Sequence, residues 1–252
     1  MDSTQRFSSR VENYLKYRPR YPQAVIETLK QTCQLTPAAR VADIGSGTGI
    51  LTELFLQNGN PVFAVEPNRE MREAGERLLQ PYPNFHSIDG KAEATTLADH
   101  SVDFVTAGQA FHWFDRTPTR AEFQRILKPE GWVMLVWNER DTTSTPFLRA
   151  YEQLLGDYAT DYAQVDHRNV DEKILESFYG ASGFKSKEFS NRQDFDYAGV
   201  QGRLLSSSYT PEVGHPQHAL LLAELRKIFQ AHQVNDHVAF EYVTTMYYGR
   251  LK

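Results

Sequence analysis

The stretch that most constrains this chain is "VADIGSGTGILT", Val41 to Thr52. Gly45, Gly47 and Gly49 follow a short apolar run and precede a helical pattern. The run reads as a buried strand, and "TGILTELFLQNG" as a helix stopped at Asn58-Gly59. Glycines at such a turn permit a tight reversal and let a ligand approach the backbone with no Cβ in the way. The helix that follows offers unpaired N–H groups.

The same alternation continues. "PVFAVEP", "NFHSID", "SVDFVTAG" and "GWVMLVWN" read as further strands. "NREMREAGERLLQ", capped by Asn68, and "TRAEFQRILKPEG", ended by Pro129 and Gly131, read as helices. Strands that alternate with helices and lack polar alternation predict a parallel sheet covered on both faces, hence a doubly wound α/β fold. Ahead of it, "YLKYRPRYPQAVIETLKQTC" opens with two proline turns. It continues as a helix with Ala24, Val25, Leu29 and Cys33 on its apolar face. In the second half, "TPFLRAYEQLLGDY", "VDEKILESFYGASGF" and "PQHALLLAELRKIFQAHQ" are helical, while "SKEFSNRQDFDY" and "HVAFEYVTTMYYGRL" supply two late strands. No Pro/Gly/Ser-rich linker divides the chain. The expected organisation is one domain over 1–252: a cap (1–39), a ligand-binding core (40–138), and sheet completion with a helical lid (139–252).

Composition narrows the function. Apolar residues at 40% and charged residues at 23% allow an ordinary buried core. A net charge of −5 supplies no basic face for nucleic acid. The single cysteine, Cys33, excludes an internal disulfide and suits a reducing compartment. "MDSTQRFSSR" lacks a signal peptide's apolar region, and no run approaches the roughly 18 apolar residues of a membrane span. A cytoplasmic protein with no membrane partner is expected, as a monomer or homodimer. The eight histidines are dispersed, and His215 and His218 have no ligand cluster beside them, so no metal is expected.

The loop spacing is G-x-G-x-G. A dinucleotide fingerprint requires G-x-G-x-x-G, but position 50 is Ile. Asp43, two residues before the first glycine, suits an ammonium better than a pyrophosphate. Glu66 ends the second strand and can accept two hydrogen bonds from a ribose diol. Loop and acids together imply a nucleoside ligand.

At these residues the chain resembles the class I S-adenosylmethionine-dependent methyltransferases. "GKAEATTLADHSVDFVTAGQAFHWFD" and "YLKYRPRYP" are similar to a small-molecule branch that includes trans-aconitate and ubiquinone/menaquinone-biosynthesis methyltransferases, with a type 11 methyltransferase domain. The resemblance implies a Rossmann-like seven-stranded, mostly parallel sheet whose last strand is antiparallel, with helical lid insertions. It implies S-adenosyl-L-methionine as cofactor and a small-molecule acceptor. By that resemblance Gly45, Ser46, Gly47, Thr48 and Gly49 pack against the methionyl part, and Asp43 faces its amino group. Glu66 takes the ribose hydroxyls. Pro67 and Met71 lie near adenine, and Ala92 and Glu93 border its edge. Gln109 and Ala110 border the sulfonium. Lys91 stands where many relatives carry Asp, which shifts adenine recognition toward backbone. In the "RPRYP" strap, Arg18 reaches the methionyl carboxylate while Tyr14 or Tyr21 lines the acceptor pocket; the plainer reading is a surface strap.

Methyl transfer from a sulfonium needs alignment and exclusion of water more than a catalytic nucleophile. A carboxylate acceptor needs no general base, whereas a phenol, carbon acid or thiol can. "AFHWFD" therefore stays open. His112 serves as base, as a polar contact to acceptor or cofactor, or as a structural residue. Trp113 packs on adenine, on the acceptor, or in the core. Phe114 is expected to enter the core, and Asp115 to cap the next helix. "LLSSSYTP", with Tyr209, reads equally as an acceptor lid or an ordinary loop. Methylation at a carboxylate or hydroxyl oxygen is the leading expectation. A nicotinamide-dependent oxidoreductase and a non-catalytic nucleoside-binding protein of the same fold are the competing readings.

Overall fold

The apolar runs form one seven-stranded sheet in the computed structural model, which describes residues 10–160, 162 and 170–251. Residues 1–9 of the expected cap lie outside the described residues. The strands are β1 Val41–Ile44, β2 Val62–Val65, β3 Phe85–Ile88, β4 Val102–Gly108, β5 Leu127–Arg140, β6 Phe184–Phe195 and β7 Val238–Gly249. Their order is β3-β2-β1-β4-β5-β7-β6. All neighbours are parallel except β7, which runs antiparallel to both β5 and β6. The chain moves outward from β1 to β3, then returns to lay β4 on the other side of β1. That reversal leaves a crevice at the carboxyl ends of β1 and β4, where open α/β sheets hold ligands.

The helices are α1 Val11–Tyr17, α2 Ala24–Cys33, α3 Ile50–Gln57, α4 Arg69–Leu79, α5 Arg116–Ile126, α6 Pro146–Tyr158, α7 Glu172–Tyr179, α8 Tyr197–Leu205 and α9 Pro216–His232. Successive strand residues point to opposite faces. Thus Met134 and Val136 of β5 pack with α2 and α3, while Val133, Leu135 and Trp137 pack with α5 and α7. A third apolar cluster joins α6, α8 and α9 to Phe240 and Tyr242 of β7.

Asn138, 4% exposed near the end of β5, ties distant segments together. Its Nδ2 donates to the carbonyls of Pro19 (3.3 Å) and Arg20 (3.4 Å). Its Oδ1 accepts from Thr244 of β7 and from Asn191 of β6.

Four local expectations change. Residues 11–17 form α1, which the two following prolines had drawn toward a turn; Pro19 and Pro22 instead follow its end, a usual stop signal. Ala24 is exposed, and Ile26 and Thr28 share the buried face of α2 with Val25 and Leu29. Helix α5 begins at Arg116, with Pro118 in its first turn, where no N–H bond is lost. It ends at Ile126 because Leu127 pairs with Val102 in the sheet.

Leu135 is fully buried on β5. Leu135→Ala is expected to cost about 2–5 kcal/mol of stability in urea unfolding. A loss below about 1 kcal/mol would contradict its place in the core.

Candidate active site

The crevice opens into a cavity of about 280 Å³. Gly45 and Gly47 after β1, Glu66 to Asn68 and Met71 after β2, and Lys91 to Glu93 after β3 form its walls. The shelf after β4 adds Gly108 to Ala110, Trp113 and Phe114, and Tyr14 of α1 covers it. A narrower recess of about 30 Å³ adjoins it and shares Tyr14, Gly45, Gly47, Gly108 and Gln109. Arg18, Pro19 and Tyr21 line this recess together with Asp43, Ser46, Ile50 and Leu51.

The glycines have separate reasons. Gly45 has φ 66°, and a Cβ there would stand 2.7 Å from the Ala110 Cβ. The loop and the shelf can meet only without a side chain at 45. Gly49 has φ 88°, and a Cβ would stand 2.4 Å from Leu79 of α4. It serves helix packing. Thr48 is 2% exposed, and neither Thr48 nor Gly49 lines the cavity or the recess.

Two carboxyls meet this space. Asp43 sits opposite Thr106 in the β1–β4 register. Its oxygens accept from Thr106 Oγ1 (3.2 Å) and from Thr52 Oγ1 (2.6 Å) on the first turn of α3. Burial pushes its pKa up to about 7, against those two hydroxyl bonds. Glu66 accepts from the backbone N–H of Gly47 (2.8 Å) and of Asn68 (2.8 Å). Burial also raises Glu66, while those N–H groups and Arg72 oppose it.

Gln109 adopts φ 56°, a left-handed conformation unusual for its type. Its backbone N–H bonds the Val136 carbonyl (3.0 Å), and its Nε2 bonds the Asn138 carbonyl (3.1 Å). Its Oε1 is buried with no hydrogen-bond partner among the described residues. Lys91 exchanges backbone hydrogen bonds with Ala94 (3.2 and 3.1 Å), leaving Ala92 and Glu93 as the next backbone on the cavity wall. The Glu93 carboxylate accepts the Asp115 N–H (3.0 Å), which fastens the β3 turn to the β4 shelf.

"AFHWFD" divides differently from expectation. Phe111 is the ring that enters the core, at 0% exposure against Phe178 and Trp137. Phe114 is half-buried on the cavity wall, its ring edge-on to Phe111 and Phe123. Phe111 opens the 3-10 turn Phe111–Trp113, whereas Phe114 leaves it in extended backbone (φ −83°, ψ 144°). Trp113 lines the cavity. His112 does not; its ring lies beside that of Trp113, centroids 4.8 Å apart. Asp115 occupies the cap position of α5, but its side chain makes no capping bond.

The strap places Tyr14 and Tyr21 at the recess. Arg18 lies over the Tyr14 ring (5.0 Å), and its Nη2 donates to the Ser206 carbonyl (2.9 Å). Ser206 and Ser207 are fully buried, and Arg10 also donates to the Ser207 carbonyl (2.6 Å). "LLSSSYTP" is thus a pinned turn. Tyr209 lines neither the cavity nor the recess; its ring packs on Tyr162 (4.8 Å). His215 caps α9, and His218 bonds the Pro211 carbonyl. Among the described residues no three His, Cys, Asp or Glu gather as metal ligands, and no helix is long and apolar enough to cross a membrane.

A strand–glycine loop–helix turn, an acid after β2 and a β7 antiparallel within a parallel sheet now stand together. Residues 42–135 match the methyltransferase domain family. Over these residues the chain is similar to the class I S-adenosylmethionine-dependent methyltransferases. It is 29% identical over 247 residues to an uncharacterized methyltransferase of Schizosaccharomyces pombe, covering 96% of this chain and 95% of that one. It is 39% identical over 140 residues to an uncharacterized methyltransferase of Mycobacterium bovis, covering 56% and 55%. The fold matches the solved structure of a candidate type II methyltransferase from Anaeromyxobacter dehalogenans, with TM-score 0.71, 21% identity and coverage of 93% and 98%.

Sequence reasoning passed over several residues that build the site. Thr52 and Thr106 hold Asp43; the signal for Thr52 was a hydroxyl one helical turn past the glycine loop. Asn68 and Phe114 line the cavity although their sequence marks were a helix cap and a core aromatic. Asn138 carried no sequence mark, because its partners are far along the chain.

The Asp43 carboxyl favours the folded state below its unfolded pKa near 3.9, and that contribution is lost as pH rises through about 7. Asp43→Asn stays neutral throughout. Its stability relative to the parent chain is expected to rise by on the order of 1.4 kcal/mol per pH unit between about pH 5 and 7. Parallel pH profiles in urea unfolding would refute a burial-raised Asp43.

Proposed function

We propose that this enzyme methylates a small-molecule acceptor at oxygen, with the donor lying along the cavity from Glu66 to Asp43. The observation that carries this reading is the pair of buried carboxyls facing adjoining parts of one space. The donor's ribose is a diol, and its methionyl end carries an ammonium. Glu66 keeps a lone pair on each oxygen beyond those bonded to Gly47 and Asn68, enough for two ribose hydroxyls. Asp43, poised near neutrality, ionises when an ammonium approaches.

The fit extends to the walls. Pro67, Met71, Ala92 and Glu93 would hold the adenine end, with Trp113 and Phe114 beside them. Gly45, Ser46 and Gly47 would pass the methionyl part toward Arg18, whose guanidinium suits its carboxylate. Gln109 and Ala110 would border the sulfonium, and the free Oε1 of Gln109 can accept from the ammonium. When bound, S-adenosylmethionine supplies a methyl carbon that takes an acceptor oxygen lone pair as the S–C bond pair stays on sulfur. A carboxylate acceptor moves no proton, so no base is required. The strap and shelf exclude water and hold the acceptor in line. The likeness of "AFHWFD" to small-molecule methyltransferases supports a small acceptor, and so does the chain's acidic balance.

Calorimetric titration with S-adenosylhomocysteine tests the donor site. Glu66→Ala is expected to weaken binding about 10- to 100-fold, the worth of charge-assisted hydrogen bonds. Unchanged affinity would remove Glu66 from the site. His112→Ala is expected to alter the transfer rate by no more than a few-fold. A fall of roughly 100-fold or more would restore the base role.

A further inference from the structure

The lid holds arginines that the donor site does not use. Arg140 leaves the end of β5 with its side chain 8% exposed. Its Nη2 pairs with Glu152 of α6 (2.5 Å) and reaches the Tyr162 hydroxyl (3.2 Å), and its guanidinium lies over the Tyr151 ring (4.9 Å). Its Nη1 is buried with no hydrogen-bond partner among the described residues. Arg203 of α8 is 6% exposed. Its Nε donates to the Tyr242 hydroxyl (3.2 Å), and its Nη1 to Ser207 Oγ (3.2 Å). These are neutral oxygens, and among the described residues no carboxylate pairs with Arg203. The hydroxyl of Tyr151, a residue at 1% exposure, also lacks a hydrogen-bond partner among the described residues. Burial raises its pKa, while Arg203 and Arg140 pull it back.

Buried cations of this kind are ordinarily paired, because an uncompensated buried charge is strongly destabilising. Arg140 and Arg203 together meet one acid, Glu152. Their planar forks suit carboxylate or phosphate oxygens. The cluster also adjoins the donor's end of the molecule. Arg18, which lines the recess, shares Ser207 Oγ with Arg203 at 3.5 Å.

We infer that Arg140, Arg203 and the Tyr151 hydroxyl form an oxyanion site in the lid that holds the methyl acceptor, so that the acceptor is a small molecule bearing a carboxylate or phosphate group. This rests on the donor lying between Glu66 and Asp43. The acceptor's anion supplies the counter-charge that Arg203 lacks, and the free Nη1 of Arg140 and hydroxyl of Tyr151 donate to it. Arg18 stays with the donor's own carboxylate. Two anions then neutralise two guanidiniums that share one serine.

The test uses the full chain saturated with S-adenosylhomocysteine and titrated calorimetrically at fixed ionic strength. The probes are succinate, inorganic phosphate and the neutral 1,4-butanediol. At least one oxyanion is expected to bind and the diol not. Succinate alone identifies a carboxylate acceptor, phosphate alone a phosphorylated one. Arg140→Gln is expected to weaken that binding about tenfold or more while leaving S-adenosylhomocysteine affinity unchanged. Tyr151→Phe, which removes only the unpartnered hydroxyl, is expected to weaken it several-fold and guards against misfolding of the arginine variant. Oxyanion binding equal to the parent chain in both variants overturns the inference. If S-adenosylhomocysteine binds and neither oxyanion does, the lid site alone falls. If S-adenosylhomocysteine does not bind, the donor assignment falls and takes this one with it.

Discussion

The side-chain amide of Asn138 fixes how the two halves of the molecule meet. Its nitrogen holds the strap through two carbonyls, and its oxygen gathers β6 and β7 through Asn191 and Thr244. Its own carbonyl accepts the side chain of Gln109, so the β4 shelf is anchored to the same residue. Both ends of the amide are used, and at 4% exposure water replaces none of these bonds. The recess exists because the strap returns to this point and lays Arg18 and Tyr21 over the glycine loop.

The sheet was legible because burial on both faces leaves a simple mark: short apolar runs with no polar alternation. The glycine loop and Glu66 were legible because a tight strand-to-helix turn demands positive φ and a carboxylate stands out at the end of an apolar strand, and both marks are local in sequence. What was not legible depends on tertiary partners. Helix α1 buries no residue completely and owes its place to packing against α8. The roles of Phe111 and Phe114 depend on where a short turn ends, since Phe111 lies inside it and Phe114 leaves it in extended backbone. Asn138 and Arg203 are ordinary polar residues whose partners lie up to 119 residues away. Arg140 had one usable signal, its position at the carboxyl end of β5, the side on which open α/β sheets hold ligands.

Charge is divided across the site. Acids stand at the ends of β1 and β2, each raised by burial, and cations stand in the lid and strap. Desolvation strengthens both fields, since interactions in a low-dielectric interior are less screened than at the surface. A cationic donor and an anionic acceptor would each find the complementary side. The two together would leave little net charge buried once the site is full.

The third apolar cluster has an evolutionary consequence. Helices α6, α8 and α9 share a cluster with β7 that is separate from the two others; α6 lies in the connection from β5 to β6, and α8 and α9 in that from β6 to β7. Substitutions that reshape this cluster leave the register of β1 and β4 untouched. A lineage can therefore reshape these helices while inheriting the glycine loop intact, and descent would show fast divergence in one half and slow divergence in the other.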